Sequence, residues 1–214
     1  MIAAVFDLDN TIILGKSVER RFFYRLLREQ RIGFREIARM IGFLIRNLPR
    51  FSPMLLHTHK LYLAGKSVSE MERLAAQYVT EEIASRISHQ ALAKLAQHRA
   101  ANHFLVILTG CPDFLIAPLS PHLKADTIIC GRLERRAGQF TGHTESPYPY
   151  GIGKRLLLDQ LAATYNIDLT QSYAYADRLS DLAVLSAVRF PAVVNAGRRL
   201  ARIAKARGWE VLHW

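Results

Sequence analysis

Ala3-Ala4-Val5-Phe6-Asp7-Leu8-Asp9-Asn10-Thr11 is the stretch from which the rest of the chain is best read. Its apolar start predicts a strand over residues 2–7, with Asp7 and Asp9 following two positions apart. In a strand, residues i and i+2 point to the same face. Like charges held that close repel, and one of them is pushed toward a raised pKa. A fold accepts this where a cation bridges the pair, or where chemistry uses one ionised and one protonated carboxyl. A carboxylate can also attack phosphorus as a covalent nucleophile. The plainer alternative is a polar strand end in which Asp9-Asn10-Thr11 is ordinary turn chemistry. The stretch alone leaves both open.

Beyond it the periodicity is helical. Val18, Phe22, Phe23, Leu26 and Leu27 recur at helical spacing from Ser17 to about Ile32, and Gly33 breaks the run. Phe34 to Leu48 predicts a second helix with Ile37, Ile41, Leu44 and Ile45 on one face. Pro49 and Pro53 interrupt, and a third apolar stretch covers Met54 to Leu63. Ser67 and Glu70 have capping-box spacing and open a helix to about Ile87, while Ser88 caps another through His98.

From residue 103 the pattern changes. His103 to Leu108 is a continuous apolar run, as expected of a strand buried on both faces. Strands at 126–130, 172–176, 192–195 and 209–212 then alternate with helices at 112–119, 151–165, 180–187 and 198–207. Gly131 to Gly142 predicts a hairpin turning at Ala137-Gly138. Such alternation predicts an α/β fold on a parallel sheet. The core is expected from residues 1–14 and 88–214, with a helical insertion over 15–87.

The 214 residues suffice for one domain with an insertion, and 50% hydrophobic against 22% charged composition excludes a disordered chain. Cys111 and Cys130 lack metal-ligand spacing and form no disulfide framework, which points to a reducing, cytoplasmic compartment. Met1-Ile2-Ala3 shows none of the basic start of a signal peptide, and no apolar run has the length of a membrane span. The net charge of +11 predicts attraction to anions. Arginines crowd residues 20–50, and a second basic cluster spans Arg198 to Arg207.

In parallel α/β sheets, ligands bind beyond the carboxyl ends of the strands. Asp7, Asp9 and Thr11 follow the first strand, and Thr109 and Gly110 follow the 103–108 strand. A hydroxyl and bare backbone N–H groups there suit a phosphate. Asp177 and Asp181 follow the 172–176 strand, and with Asp7 they would form an oxygen site for a hard cation such as Mg²⁺. Lys154 opens a helix and could neutralise both phosphate and nucleophile.

These four groups, in this order, resemble the motifs of the haloacid dehalogenase superfamily. The insertion resembles the helical cap of its phosphoserine-phosphatase-like branch. The resemblance implies a Rossmann-like core and a Mg²⁺-dependent phosphatase forming an aspartyl phosphate. It makes Asp7 the nucleophile and Asp9 the general acid and base. Asp7, Asp9 (through its carbonyl), Asp177 and Asp181 are its metal site. Thr11, Thr109, Gly110 and Lys154 are its phosphate contacts. A carboxyl at Asp9 favours phosphate over carbon–halogen chemistry.

This chain departs from the branch in three places. Arg178 stands where a small polar residue usually follows the first aspartate of the last motif, and it is expected to turn outward, because an unpaired buried charge is expensive. Lys16 occupies the position, nine beyond the nucleophile, of the glutamate that recognises the amine of phosphoserine, which argues against that substrate. Ala176 replaces a glycine before Asp177, a change expected to be tolerated.

The plain readings of the remaining features are structural. The helix from Phe34 is expected to bury its apolar face in the protein, with an acidic membrane surface as its alternative use. His57 and His59 do not share a helix face and are not expected to bind metal. Phe22, Phe23 and Tyr24 read as core, and no nucleic-acid motif is present. Tyr148-Pro149-Tyr150 either lines the substrate mouth or stiffens the chain. The expected function is hydrolysis of a small phosphorylated metabolite. A phosphotransferase and a non-catalytic basic-surface binding protein are the rival readings.

Overall fold

The computed structural model describes residues 1–48 and 57–214. The expected breaks at Pro49 and Pro53, and the apolar stretch as far as Leu56, lie outside them. The strands are β1 (Ala3–Phe6), β2 (Phe104–Pro112), β3 (Thr127–Gly131), β4 (Leu133–Arg136), β5 (Gln139–Thr144), β6 (Tyr173–Ala176), β7 (Phe190–Val194) and β8 (Glu210–Leu212). Six of them form one sheet in the order β3-β2-β1-β6-β7-β8, and β4 and β5 pair separately as an antiparallel hairpin. Every pairing in the large sheet is parallel. The longer helices are α1 (Val18–Arg28), α2 (Phe34–Arg46), α3 (Val68–Tyr78), α4 (His89–Ala100), α5 (Ile152–Tyr165) and, after the short α6 (Leu182–Leu185), α7 (Arg198–Ala206). The fold is α/β and Rossmann-like.

Alternation along β1 separates two cores. Ala3 and Val5 pack with Val106, Leu158, Leu185 and Leu200 beneath α5, α6 and α7. Ala4 and Phe6 face the other way, into a core shared with Phe22, Leu63, Leu74, Tyr78 and Leu95. That second core runs without interruption from the sheet into the helices between β1 and β2. Tyr78 joins them, with its ring 5.3 Å from Phe22 and its hydroxyl donating to the Val18 carbonyl at 2.9 Å.

Local chemistry sets the helix starts. The side chains of Ser17, Ser67 and Ser88 accept from the N–H of Arg20, Glu70 and Ala91, each satisfying an otherwise orphaned donor. The capping box at Ser67 is half made, because the Glu70 carboxylate turns to Arg31 instead. The helix it opens widens into a π turn at Val79–Ile83 and then tightens into a 3₁₀ turn at Ala84–Arg86.

Two expectations are corrected, and a third is met. β2 does not stop at Leu108. It shifts register after Leu108 and pairs again with β3 at Pro112↔Gly131, so helix begins only at Asp113. The expected hairpin forms, turning at Ala137-Gly138, and pairs apart from the core sheet. It bonds along residues 58–68, through Lys60 N–H to the Gly142 carbonyl at 2.8 Å, Gly65 N–H to the Phe140 carbonyl at 2.8 Å and Phe140 N–H to the Lys66 carbonyl at 3.0 Å. Finally, α2 buries none of its residues. Met40 packs on the core and the Phe43 ring lies 4.6 Å from His59, which turns Ile37, Ile41 and Ile45 to solvent.

Candidate active site

The chain leaves β1 toward β2 on one side and is flanked by β6 on the other, so the carboxyl end of β1 is the sheet's switch point. Asp7 is the first residue past β1, and its N–H extends the ladder to the Tyr175 carbonyl at 2.9 Å. Asp177 follows β6 directly, and Asp181 lies at the end of a 3₁₀ turn. Lys154, in the first turn of α5, reaches across with Nζ 2.6 Å from Asp7 Oδ1 and 2.7 Å from Asp181 Oδ1. All four residues are buried.

The turn after Asp7 aims the next carboxylate. Asp9 Oδ1 accepts from the Val18 N–H at 2.9 Å, at the N-terminus of α1. Asn10 is left-handed, with φ 56°, and its Nδ2 donates to Asp177 Oδ2 at 3.1 Å. Thr109 is buried inside β2, where its Oγ1 accepts from the Cys111 N–H at 3.1 Å. Gly110 lies beneath the 148–150 loop, and its carbonyl accepts from the Tyr148 hydroxyl. A Cβ there would meet the Pro149 carbonyl oxygen at 3.3 Å.

Thr11 does not join this group. It is fully buried in the turn that folds back from Leu8, outside the cleft lining, and its carbonyl accepts from Trp214 Nε1 at 2.6 Å. The left-handed turn at Asn10 carries the chain into the core, with Ile12 and Ile13 fully buried behind it.

Burial is the largest influence on the acids. It raises Asp7 to about 7, opposed by Lys154 and reinforced by Asp181 and Asp9. It raises Asp9 to about 6 against the Val18 N–H and Arg178. It raises Asp177 against the Asn10 hydrogen bond. For Lys154 burial works downward, and the paired carboxylates overcome it and push the ammonium up.

Asp7, Asp177 and Asp181 each bring one oxygen within 4.8 Å of the others. Asp177 Oδ1 is buried with no hydrogen-bond partner among the described residues. An unsatisfied buried carboxylate oxygen is costly, and a hard cation supplies what it lacks. The donor set therefore fits Mg²⁺. Arg178 does not intrude on it. Its side chain is 51% exposed, with Nε 3.6 Å from Asp177 Oδ2.

The cleft over these groups has a volume of about 80 Å³. Its outer part is lined by Ser17, Glu19, His57, Tyr150, Arg178 and Ser180. Glu19 is already engaged, by Lys60 Nζ at 2.6 Å and the Tyr62 hydroxyl at 3.0 Å. His57 stacks on Tyr150 at 3.8 Å between ring centroids, and burial lowers its pKa to about 4. Of the Tyr148-Pro149-Tyr150 stretch, Tyr150 lines the cleft and Tyr148 is buried beside it. Lys60, Tyr62 and Asn195 carry no local signal that ties them to the site. A larger cavity of about 820 Å³ lies near the amino ends of β6 and β7 and contains none of the clustered aspartates.

Residues 4–186 match the profile of the haloacid dehalogenase-like hydrolases. A protein of Mycobacterium tuberculosis named as a probable phosphatase is 28% identical over 98% of this chain and 74% of its own length. The histidinol-phosphatase of Neisseria meningitidis serogroup C is 26% identical over 99% of this chain and 98% of its own. A crystal structure of a protein of unknown function from Bordetella pertussis Tohama I superposes with a TM-score of 0.84 at 27% identity, over 98% of this chain and 97% of that one.

Proposed function

The chain belongs to the haloacid dehalogenase-like hydrolases, and from that premise we propose that it is a phosphomonoester hydrolase acting through an aspartyl phosphate. The observation that carries this reading is the contact of Lys154 with both Asp7 and Asp181, beside the unsatisfied oxygen of Asp177. One buried ammonium among three carboxylates is a site built for positive charge, and phosphoryl transfer rests on positioning and charge neutralisation. The phosphatase names of the Mycobacterium and Neisseria relatives agree with it.

In the first half-reaction an Asp7 carboxylate oxygen bonds to phosphorus as the ester P–O bond breaks. Asp9 gives its proton to the departing oxygen, and the alcohol leaves. In the second, water attacks phosphorus, Asp9 takes the water's proton, and the bond to Asp7 breaks, releasing phosphate. A carboxyl raised to about 6 is suited to both proton transfers near neutral pH. Lys154, Thr109 and the Gly110 N–H hold the phosphoryl oxygens. Asp7, Asp177, Asp181 and the Asp9 carbonyl would hold Mg²⁺, which would supply further positive charge to the site.

The helices between β1 and β2 act as the cap over residues 1–14 and 88–214. The small cleft suits a small leaving group. Phosphoserine is disfavoured, because Lys16 replaces the amine-recognising acid and Glu19 is held by Lys60 and Tyr62. The test is hydrolysis of p-nitrophenyl phosphate with and without Mg²⁺, with Asp7→Asn alongside. Metal-dependent turnover, a hydroxylamine-labile phosphoenzyme and loss of both in the variant are expected. Full turnover in Asp7→Asn would overturn the nucleophile.

A further inference from the structure

We propose that α2 is an interfacial helix that docks this protein on anionic lipid bilayers. Phe34, Ile37, Ile41 and Ile45 recur along one face of α2, and Leu48 continues it. They are 84%, 38%, 51%, 67% and 69% exposed, and no described element covers them. A contiguous apolar stripe of this kind marks an interaction surface, unlike single exposed apolar residues.

The charge around the stripe says what covers it. At about 100° per residue, Arg35, Arg39 and Arg46 fall together on the polar side of the helix, with Ala38 and Gly42 between them and the stripe. The only acid on the helix is Glu36, and its carboxylate is engaged by the Gly33 N–H at 2.9 Å and by Lys66 at 3.5 Å. Arg28 and Arg31 stand nearby in sequence, and the whole chain carries +11. An apolar face with arginines on the polar side, on a helix too short to span a bilayer, is the pattern of a helix lying in the headgroup plane. A second copy of this chain would bring these same arginines together, which opposes self-association. Anionic headgroups complement them.

α2 is also held where such a role requires. Its other side is fixed to the protein by Met40 in the core, by the Phe43 ring on His59, and by Arg39 donating to the Ala64 carbonyl at 3.0 Å. The stripe is thus presented outward rather than left to find a partner. Residues 59–64, on which Phe43 and Arg39 rest, include Lys60, which holds Glu19 at the cleft. The inference does not depend on the phosphatase reading.

The experiment is flotation of the full chain with vesicles of phosphatidylcholine alone and of phosphatidylcholine mixed with phosphatidylglycerol, at low and high salt. The variants are Ile41→Asp with Ile45→Asp, and Arg35→Gln with Arg46→Gln. All four positions are exposed, and thermal melting monitors folding. Binding is expected only to the mixed vesicles, weakened by salt, with roughly a tenfold loss in each double variant. Absence of binding to mixed vesicles would overturn the proposal. So would binding that Ile41→Asp with Ile45→Asp leaves unchanged, which would indicate adsorption through the general basic surface. A wild-type dimer split by that same variant would overturn it in favour of a second copy on the stripe.

Discussion

Asn10 and Asn195 clasp one another: Asn195 Nδ2 donates to the Asn10 carbonyl at 3.0 Å, and Asn10 Nδ2 lies 3.4 Å from the Asn195 carbonyl. Both are left-handed, at φ 56° and 47°, a conformation that asparagine tolerates better than most residues. The same Asn10 amide donates to Asp177 Oδ2. The clasp therefore ties the turn after β1 to the end of β7 and fixes one oxygen of Asp177. Asn195→Ala should weaken Mg²⁺ affinity by about tenfold, the scale of losses from residues that orient metal ligands. Calorimetric titration of Mg²⁺ checks this, and an unchanged affinity would mean the clasp positions nothing.

Gly153 has no room for a side chain. A Cβ would lie 2.1 Å from the Tyr148 carbonyl oxygen, a backbone atom that cannot swing aside. Gly153→Ala should displace the first turn of α5, and with it Lys154. The expected cost is about 1–3 kcal/mol of stability, with a larger proportional loss of turnover. Thermal melting and p-nitrophenyl phosphate hydrolysis on one preparation separate the two effects.

Lys154→Met strips the shared cation from Asp7 and Asp181. Leaving buried carboxylates unpaired should destabilise by about 3–5 kcal/mol. Added Mg²⁺ should raise the melting temperature of this variant by more than that of the wild type, because it replaces the missing charge. Equal shifts would argue that the cation binds elsewhere.

His98 gives the fold a pH dependence away from the site. Its Nε2 and Nδ1 lie 2.8 Å from the Tyr175 hydroxyl and His103 Nδ1, and burial, with His103 and Lys94, lowers its pKa to about 4. The unfolded chain takes up this proton near pH 6.5 and the folded chain only near 4. Its contribution is therefore complete above pH 6.5 and is lost as the pH falls toward 4, a change of about 3 kcal/mol. Chemical denaturation across that range should show the slope, and His98→Phe should flatten it.

The alternation of strands and helices and the gathering of Asp7, Thr109, Lys154, Asp177 and Asp181 could be read from the chain because both follow from local signals. Apolar runs mark the strands of a parallel sheet, and its ligands gather at their carboxyl ends. What was illegible is non-local. Thr109-Gly110-Cys111 looks like a loop, and only pairing of Pro112 with Gly131 keeps β2 going past it. Periodicity shows that α2 has an apolar face but not which way it points, and Met40 and Phe43 rather than the isoleucines meet the protein. Thr11 belongs to a motif by spacing, yet the left-handed Asn10 sends it inward. Glu19 meets Lys60 and Tyr62 from more than 40 positions away, a pairing that no window of sequence contains.

The main-chain bonds between the β4–β5 hairpin and residues 60–66, and the core that runs unbroken from Phe6 through Phe22 to Tyr78, have a thermodynamic consequence. The described residues between β1 and β2 are therefore not expected to fold as a detachable module. Removing them would strip the apolar cover from one side of the sheet and orphan the hairpin's edge. They should melt with the sheet in a single cooperative transition.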